Sequence, residues 1–363
     1  EVNQKNVGLE QMSKVLMAMS GGIDSTVSAM LLMEQGYEII GCTFRSYDGK
    51  THGVVEKKCC AETTILAAQQ LAKKLGFEHH VVDFRELFHC HVVQNFVTEY
   101  LSGRTPNPCV MCNSHIKWGA LMKIADELGC DKIATGHYAR ILEQGEHIYL
   151  RKAKDEQKDQ TYFLWMLTEE NLRRTIFPLG DYTKSEVRAI AAQRGFVELS
   201  EQKESQDICF VPDGDYRGFI VEEAARMGLN VGKAFEAGDY IDANSKVVGK
   251  HSGFANYTIG QRKGLGIALG EPVYVSKIDA QNNVVQLMQH DELLTNEVRL
   301  TNTLFTGNKD ECVEAKIRYR SRAVRGKYEN GVVYFQEPVW GVTPGQSVVM
   351  YQEDRLVGGG IIR

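Results

Sequence analysis

The sequence predicts an α/β protein. An N-terminal doubly wound parallel sheet is followed by a small central α+β domain and a C-terminal all-β barrel. Three observations carry this reading. Short apolar, β-branched runs alternate with stretches of helical apolar spacing across residues 14–135. A glycine-rich loop, Ser20-Gly21-Gly22-Ile23-Asp24-Ser25, lies at the first strand-to-helix junction. From Leu287 onward almost every segment alternates apolar with polar residues and is punctuated by turn pairs.

Each element follows from its own pattern. Lys14–Met19 reads as a buried strand, and Asp24–Glu34 carries Val27, Met30 and Leu31 at helical spacing. Glu38–Phe44 is a second strand, Ala61–Leu75 a helix ended by Gly76, and His79–Phe84 a third strand. Arg85–Leu101 and Asn113–Leu128 are helical, the latter ended by Gly129, and Lys132–Thr135 is a fourth strand. The course of the chain between Gly136 and Asp159 has no comparable signal. Thr183-Lys184-Ser185-Glu186 is a capping box that opens a helix reaching Arg194, with Gly195 as its stop. Pro212-Asp213-Gly214-Asp215 is a turn cluster before a short helix at Tyr216–Met227. Asn330-Gly331 is a hairpin turn, and Pro344-Gly345 and Glu353-Asp354 mark further turns. The expected domains are 1–212, 213–286 and 287–363.

Composition narrows the classes. The 363 residues carry 42 Lys+Arg against 47 Asp+Glu, for a net charge of −5, and 43% are hydrophobic. That excludes disordered and collagen-like chains. No apolar run approaches the ~18 residues of a membrane helix, and the first residues lack a signal-peptide core. Nine cysteines are then expected as thiols in a reducing cytoplasm. An acidic total argues against nucleic-acid binding over the whole surface but leaves room for a local patch. Lys316, Arg318, Arg320 and Arg322 alternate with Ile317 and Tyr319, and no acid occurs between Lys316 and Tyr328. On a strand that period would set the cations on one face, extended by Arg325 and Lys327, as a surface tracking phosphates. A merely solvated face is the alternative.

The loop at Ser20–Ser25 is built for an anion. Glycines permit a left-handed turn, hydroxyls add donors, and the helix start offers unpaired N–H groups. It is not a kinase-type loop, since no Lys-Ser/Thr pair follows the glycines. Among the cysteines, Arg104-Thr105-Pro106-Asn107-Pro108-Cys109-Val110-Met111-Cys112-Asn113 is a loop feeding a helix, which sets Cys112 at or near a helix N-terminus where a thiol ionises more readily. Cys209 follows near the end of the α/β region. Cys42, Cys90, Cys130 and Cys312 sit among apolar neighbours and read as core or inert, and Cys59-Cys60 is ambiguous. Cys109 and Cys112 could form half a zinc site or a redox pair, but no second pair of metal ligands completes zinc. A three-thiolate iron–sulfur site from Cys109, Cys112 and Cys209 stays open as an alternative.

These motifs carry a resemblance. The S-G-G-x-D-S loop resembles the signature of the ATP pyrophosphatases, the PP-loop family, which release pyrophosphate while adenylating an oxygen. The ordered set G-R-T-P-N-P-x-x-x-C-N at 103–113, A-T-G-H-Y at 134–138, K-D-Q at 158–160, Ile208-Cys209-Phe210, G-Q-R-K-G-L-G at 260–266, T-P-G-Q at 343–346 and G-G-G-I-I at 358–362 is similar to the tRNA-specific 2-thiouridylase family. The resemblance covers residues 14–363 and implies a fold of the adenine nucleotide α-hydrolase type in the first domain. It implies ATP with Mg²⁺, and a tRNA whose wobble uridine U34, in the tRNAs for Lys, Glu and Gln, is adenylated at O2 and then thiolated. A cysteine desulfurase or sulfur-relay protein is implied as donor, and no membrane.

By position, Cys112 would be the nucleophile and Cys209 the persulfide carrier. Ala18, Met19, Ser20, Gly21, Gly22, Ile23, Asp24, Ser25, Phe44 and Gly136 match nucleotide-contacting positions. Asn107, Pro108 and Cys109 match the stretch that meets the target base. His137, Lys158, Asp159, Gln160, Arg318, Tyr319 and Gln346 match tRNA-contacting positions, to which the charge pattern adds Arg320. Two departures stand out. Many members have Asp three residues before the nucleophilic cysteine, where this chain has Cys109, so the general base is open. Ser205-Gln206-Asp207 replaces an Asp-Ser-x-Gly pattern and reads as subfamily variation.

Overall fold

The computed structural model describes residues 13–47, 62–202, 208–211 and 214–363. Cys59-Cys60, Ser205-Gln206-Asp207 and Pro212-Asp213 lie outside the described residues. The first sheet is all parallel. Its strands are β1 (Lys14–Ala18), β2 (Glu38–Arg45), β3 (Glu78–Asp83), β4 (Lys132–Ala134) and β7 (Thr175–Ile176), in the order β3-β2-β1-β4-β7. The central strand β1 is buried on both faces, with Val15, Leu16 and Met17 all at 0% exposure, as parallel sheets covered by helices require. Alternation sorts the faces. Val15 and Met17 pack with Ala29 and Leu32 of α1 (Ile23–Glu34) and Ala68 and Ala72 of α2 (Glu62–Leu75). Leu16 points the other way, into a cluster with Phe88, Phe96, Ile116 and Leu121. The strand order reverses between β1 and β4, and the crevice at their C-terminal ends is where an open α/β sheet binds ligands.

The two helical stretches on that second face differ from expectation in one respect. Each contains a π-helical segment, His89–Val93 in the first and Cys112–Ala120 in the second. The second run also starts earlier than Asn113. Pro108 opens it, so Cys109 lies in its first turn and Cys112 closes that turn. Proline is suited to this position because its fixed φ and missing N–H fit a helix start. Cys42 and Cys130 are buried as expected, but Cys90 and Cys312 are exposed, so the core reading fails for those two. A helix places only part of its surface inward, and Cys90 falls on the outward part.

The central unit is a four-stranded sheet of β8 (Gly238–Ile241), β9 (Val247–His251), β10 (Tyr274–Asp279) and β11 (Val284–Met288) around Tyr240, Val275, Val285 and Leu287. Six strands form the barrel: β12 (Leu294–Phe305), β13 (Val313–Lys316), β14 (Val324–Glu329), β15 (Val332–Trp340), β16 (Ser347–Gln352) and β17 (Arg355–Ile362). Pairing of β12 with both β15 and β17 closes it. The expected Asn330-Gly331 turn joins β14 and β15, with both residues at positive φ. The stretch without a signal proves to be a hairpin, β5 (Arg140–Gln144) and β6 (His147–Arg151), and β6 pairs with β17 of the barrel.

The α/β part and the barrel share one core. Tyr162, Leu164 and Trp165 belong to the same apolar cluster as Val349, Tyr351 and Leu356. Trp165 donates its ring N–H to Ser347 Oγ at 3.0 Å, and Tyr162 donates to the Ser347 carbonyl at 2.8 Å. Gly359 makes room for the indole, since a Cβ there would lie 2.6 Å from the ring. The basic stretch does not form the expected strand. β13 ends at Lys316, and residues 317–322 run through bends and a turn. Arg318 turns inward and donates to the carbonyls of Ile259 (2.9 Å) and Gly341 and to Thr343 Oγ1 (2.5 Å), tying the loop between β9 and β10 of the central unit to the barrel. Arg322 pairs with Glu337 and Lys327 with Glu329. Arg320 and Arg325 are exposed, with no carboxylate partner among the described residues. The strand reading fails because period-2 patterning also arises in a turn whose arginine satisfies backbone carbonyls.

Trp165→Ala is expected to cost about 3–5 kcal/mol, the scale of a buried aromatic truncation, and to lower the unfolding midpoint of the α/β part and barrel together in denaturant titration. Arg318→Ala should lower thermal stability by about 1–3 kcal/mol because two buried carbonyls lose their donor, whereas Arg320→Ala should leave it within about 0.5 kcal/mol.

Candidate active site

The loop after β1 is shaped by short local bonds. Ser20 N–H donates to Ser25 Oγ (3.3 Å), Ser25 Oγ donates to the Gly22 carbonyl (3.1 Å), and Met19 N–H donates to the Cys42 carbonyl (2.8 Å). Gly21 sits at φ +69°, a left-handed conformation that favours glycine. Gly22 is the N-cap of α1 and brings no side chain of its own to the first-turn N–H groups, which suits an anion. Gly136 packs directly beneath, since a Cβ there would lie 3.0 Å from the Asp24 carbonyl carbon and the Ser25 nitrogen. Ala18 ends β1 behind the loop, Met19 follows it, and Ile23 is buried under the loop. Phe44 lies on β2 with its ring 6.0 Å from Phe84. The nucleotide-matching residues thus lie at the C-terminal ends of β1, β2 and β4 and at the start of α1.

Asp24 has a partner that local sequence did not announce. Lys184, only 8% exposed, places Nζ 2.7 and 2.8 Å from the two Asp24 oxygens, and Tyr138 donates its hydroxyl to Asp24 at 2.9 Å. Lys184 is the first residue of the helix Lys184–Gln193, whose Thr183–Glu186 capping box forms as expected. In the sequence it looked like any charged residue in a first turn. Tyr138 N–H in turn donates to Gln160 Oε1 at 3.0 Å, so the 134–138 and 158–160 motifs meet.

Several residues matched to RNA contact are engaged within the protein. His137 is buried between Trp118 and Phe177, with Nδ1 2.8 Å from Thr135 Oγ1 and Nε2 3.3 Å from Lys117 Nζ. Burial, with Lys117 adding to it, holds its pKa well below 6.5, so the ring is neutral. Asp159 is buried and accepts from Ala153 N–H (2.9 Å) and Thr161 Oγ1 (2.7 Å); burial pushes its pKa up. Lys158 is half-buried beside it. Gln346 donates to the carbonyls of Thr105 (2.9 Å) and Pro106 (3.0 Å). These contacts hold the side chains of His137, Asp159 and Gln346 against the protein itself.

The cysteine loop is held from three sides. Thr105 N–H donates to the Pro344 carbonyl (2.9 Å), and Gly103 lies against Ile278 of the central sheet. Asn113 donates to the Phe163 carbonyl (3.0 Å), and the Phe163 ring packs on Tyr319 with centroids 4.5 Å apart. Pro108 is buried, Asn107 half-buried and Cys109 exposed. Cys112 is half-buried and packs against the apolar cluster that also takes up Phe210. Phe210 meets Phe88, Phe96 and Phe219 at 5.3–5.4 Å, which anchors exposed Cys209 at the edge of the same cluster. Cys42 differs in kind, because burial, reinforced by Cys130, pushes its thiol up to about 12. Among the described residues no three His, Cys, Asp or Glu side chains gather as a metal-binding group. No helix of the described residues is long and apolar enough to cross a membrane.

Comparisons with known proteins give the family. Family models match three consecutive pieces: the tRNA methyl transferase HUP domain at 13–213, the tRNA methyl transferase PRC-barrel domain at 229–289 and the Aminomethyltransferase beta-barrel domain at 290–362. The tRNA-specific 2-thiouridylase MnmA of Cytophaga hutchinsonii is 42% identical over 367 residues, covering 98% of either chain. That of Amoebophilus asiaticus is 44% identical, covering 96% of this chain and 95% of its own. That of Clostridium acetobutylicum is 43% identical, covering 96% of this chain and 99% of its own. The domain descriptions speak of methyl transfer and the relatives' names of thiolation; the relatives decide, because they match from end to end and not domain by domain. The chain belongs to the tRNA-specific 2-thiouridylase family.

Proposed function

We propose that this protein is an ATP-dependent tRNA-uridine 2-sulfurtransferase that uses a cysteine persulfide. The observation that carries the reading is the pairing of an anion-binding loop at the sheet switch point with two cysteine segments on one apolar cluster. A family member acting only as an RNA-binding or sulfur-carrying protein would have no use for the first. A PP-loop enzyme of small carboxylates would have no use for the second. The substrate implied by the resemblance is the wobble uridine U34 of the tRNAs for Lys, Glu and Gln, in a single-stranded loop from which a base is turned out at low cost.

Uridine O2 attacks the α-phosphorus of ATP, and pyrophosphate leaves. The first-turn N–H groups of α1 and the Lys184 ammonium offer positive charge where that leaving group gains negative charge. Mg²⁺ would neutralise phosphate charge there, and Asp24, which Lys184 and Tyr138 hold at the first turn of α1, is the carboxylate that would bind it. Phe44 and Gly136 bound the nucleotide side. The terminal sulfur of a Cys209 persulfide then attacks C2, and AMP leaves with the old oxygen. Cys112 thiolate attacks Cys209 Sγ, releasing 2-thiouridine and leaving a Cys112–Cys209 disulfide. Holding the persulfide on the protein raises its local concentration and keeps free hydrosulfide out of the reaction. A cysteine desulfurase or relay protein loads Cys209, whose exposure fits an exchange between proteins.

Cys209→Ser should abolish 2-thiouridine, read by mass spectrometry of digested tRNA, while tRNA-stimulated pyrophosphate release from ATP persists; unchanged thiolation would sink the persulfide assignment. Arg320→Ala and Arg325→Ala should each weaken tRNA binding and reduce the slope of log affinity against log salt by about one. An unchanged slope in both would remove this surface from the RNA path.

A further inference from the structure

A disulfide between Cys112 and Cys209 has to be reopened before the next persulfide can be loaded, and the helix start contains a third thiol in position for that. We infer that Cys109 is the resolving thiol, forming a Cys109–Cys112 disulfide that returns Cys209 to its thiolate. The inference rests on the persulfide reading above and adds the step that resets it.

Cys109 and Cys112 occupy one helical turn. Pro108 begins the turn, and Cys112 N–H donates to the carbonyls of both Pro108 and Cys109. Residues three apart on a helix stack on one face with Cβ atoms about 5–6 Å apart. A disulfide needs about 3.5–4.5 Å between Cβ atoms and 4.4–6.8 Å between Cα atoms, so a small adjustment of this first turn closes the bond. The two thiols differ in access. Cys109 is exposed and Cys112 half-buried, which places Cys112 inward of a thiol that an external reductant reaches. The surroundings of the turn are fixed. Thr105 and Pro106 are bonded to residues 344–346, Pro108 and Val110 are buried, and Asn113 is tied to the Phe163 carbonyl. Cys112 therefore stays in place while its sulfur is exchanged between a distant partner and a neighbouring one.

The exchange balances without an oxidant. Cys109 thiolate attacks Cys112 Sγ, the Cys112–Cys209 bond breaks, and its electron pair leaves with Cys209 Sγ. One disulfide and one thiolate stand on either side. An external dithiol, of the kind carried by thioredoxin-like proteins or supplied as dithiothreitol, then donates two electrons to the exposed Cys109–Cys112 disulfide and is itself oxidised.

The test compares the full chain with Cys109→Ser, each loaded with persulfide by a cysteine desulfurase and given ATP and tRNA. After one turnover without reductant, rapid alkylation and peptide mass spectrometry should find the 109–112 peptide of the unaltered chain unalkylated and lighter by two hydrogens. Cys109→Ser should instead hold the Cys112–Cys209 cross-link. At limiting dithiothreitol the ratio of later turnovers to the first should fall at least about tenfold in Cys109→Ser, and excess dithiothreitol should restore it. The ratio is independent of any effect on the first turnover. A cross-link between Cys112 and Cys209 in the unaltered chain, with an unchanged ratio in the variant, overturns the inference and leaves the persulfide reading intact. Product formation with neither disulfide in either protein overturns both.

Discussion

Residues 103–113 cannot hold their own shape, and most of what surrounds them exists to hold it. The stretch carries two prolines and a glycine at φ +73°, too few backbone bonds of its own, and the thiols at its end. Its carbonyls at Thr105 and Pro106 are satisfied by Gln346, a residue some 240 positions away. Its amide at Thr105 is satisfied by Pro344, and Gly103 rests on the central sheet. A loop held by the barrel and the central sheet is only as ordered as the joints between those units.

Those joints are built like cores. Trp165 enters the barrel wall over Gly359, and its N–H ends on Ser347, so the indole loses no hydrogen bond on burial. Arg318 does the same for the loop between β9 and β10 of the central unit, using a charged fork to satisfy two carbonyls and a hydroxyl at one point. Because the α/β part and the barrel share one apolar cluster, relative motion would expose it, and the cysteine loop is fixed by the same packing. The anion loop depends less on this frame. Its bonds are short in sequence, with Gly136, Tyr138 and Lys184 closing around it from the same sheet and the helix behind.

The π segments belong to the same economy. Both lie where two helices cross on one sheet face, at His89–Val93 and Cys112–Ala120. A wider turn rotates the residues that follow, which is how Asn113, Ile116 and Trp118 all come to be buried after a half-exposed Cys112. Hydrophobic spacing alone predicted ordinary helix for both stretches, since one widened turn barely changes a 3.6-residue pattern.

By itself the sequence determined what depends on neighbours along the chain. The parallel sheet followed from buried β-branched runs, the capping box at Thr183 from four residues, the hairpin at Asn330-Gly331 from two, and the anion loop from glycines at a strand end. Family likeness in ordered motifs named the cysteines and the nucleotide loop. Tertiary structure decided what depends on distant partners. It turned Arg318 inward from a stretch that alternates like a strand, buried His137 and Asp159, and gave Asp24 a lysine 160 residues away. It also sent the 140–151 hairpin to the barrel. A charge or polar group looks the same in sequence whether it faces water or an unpaired carbonyl. Only the fold brings that carbonyl near, and the cost of leaving it unpaired then settles which way the side chain turns.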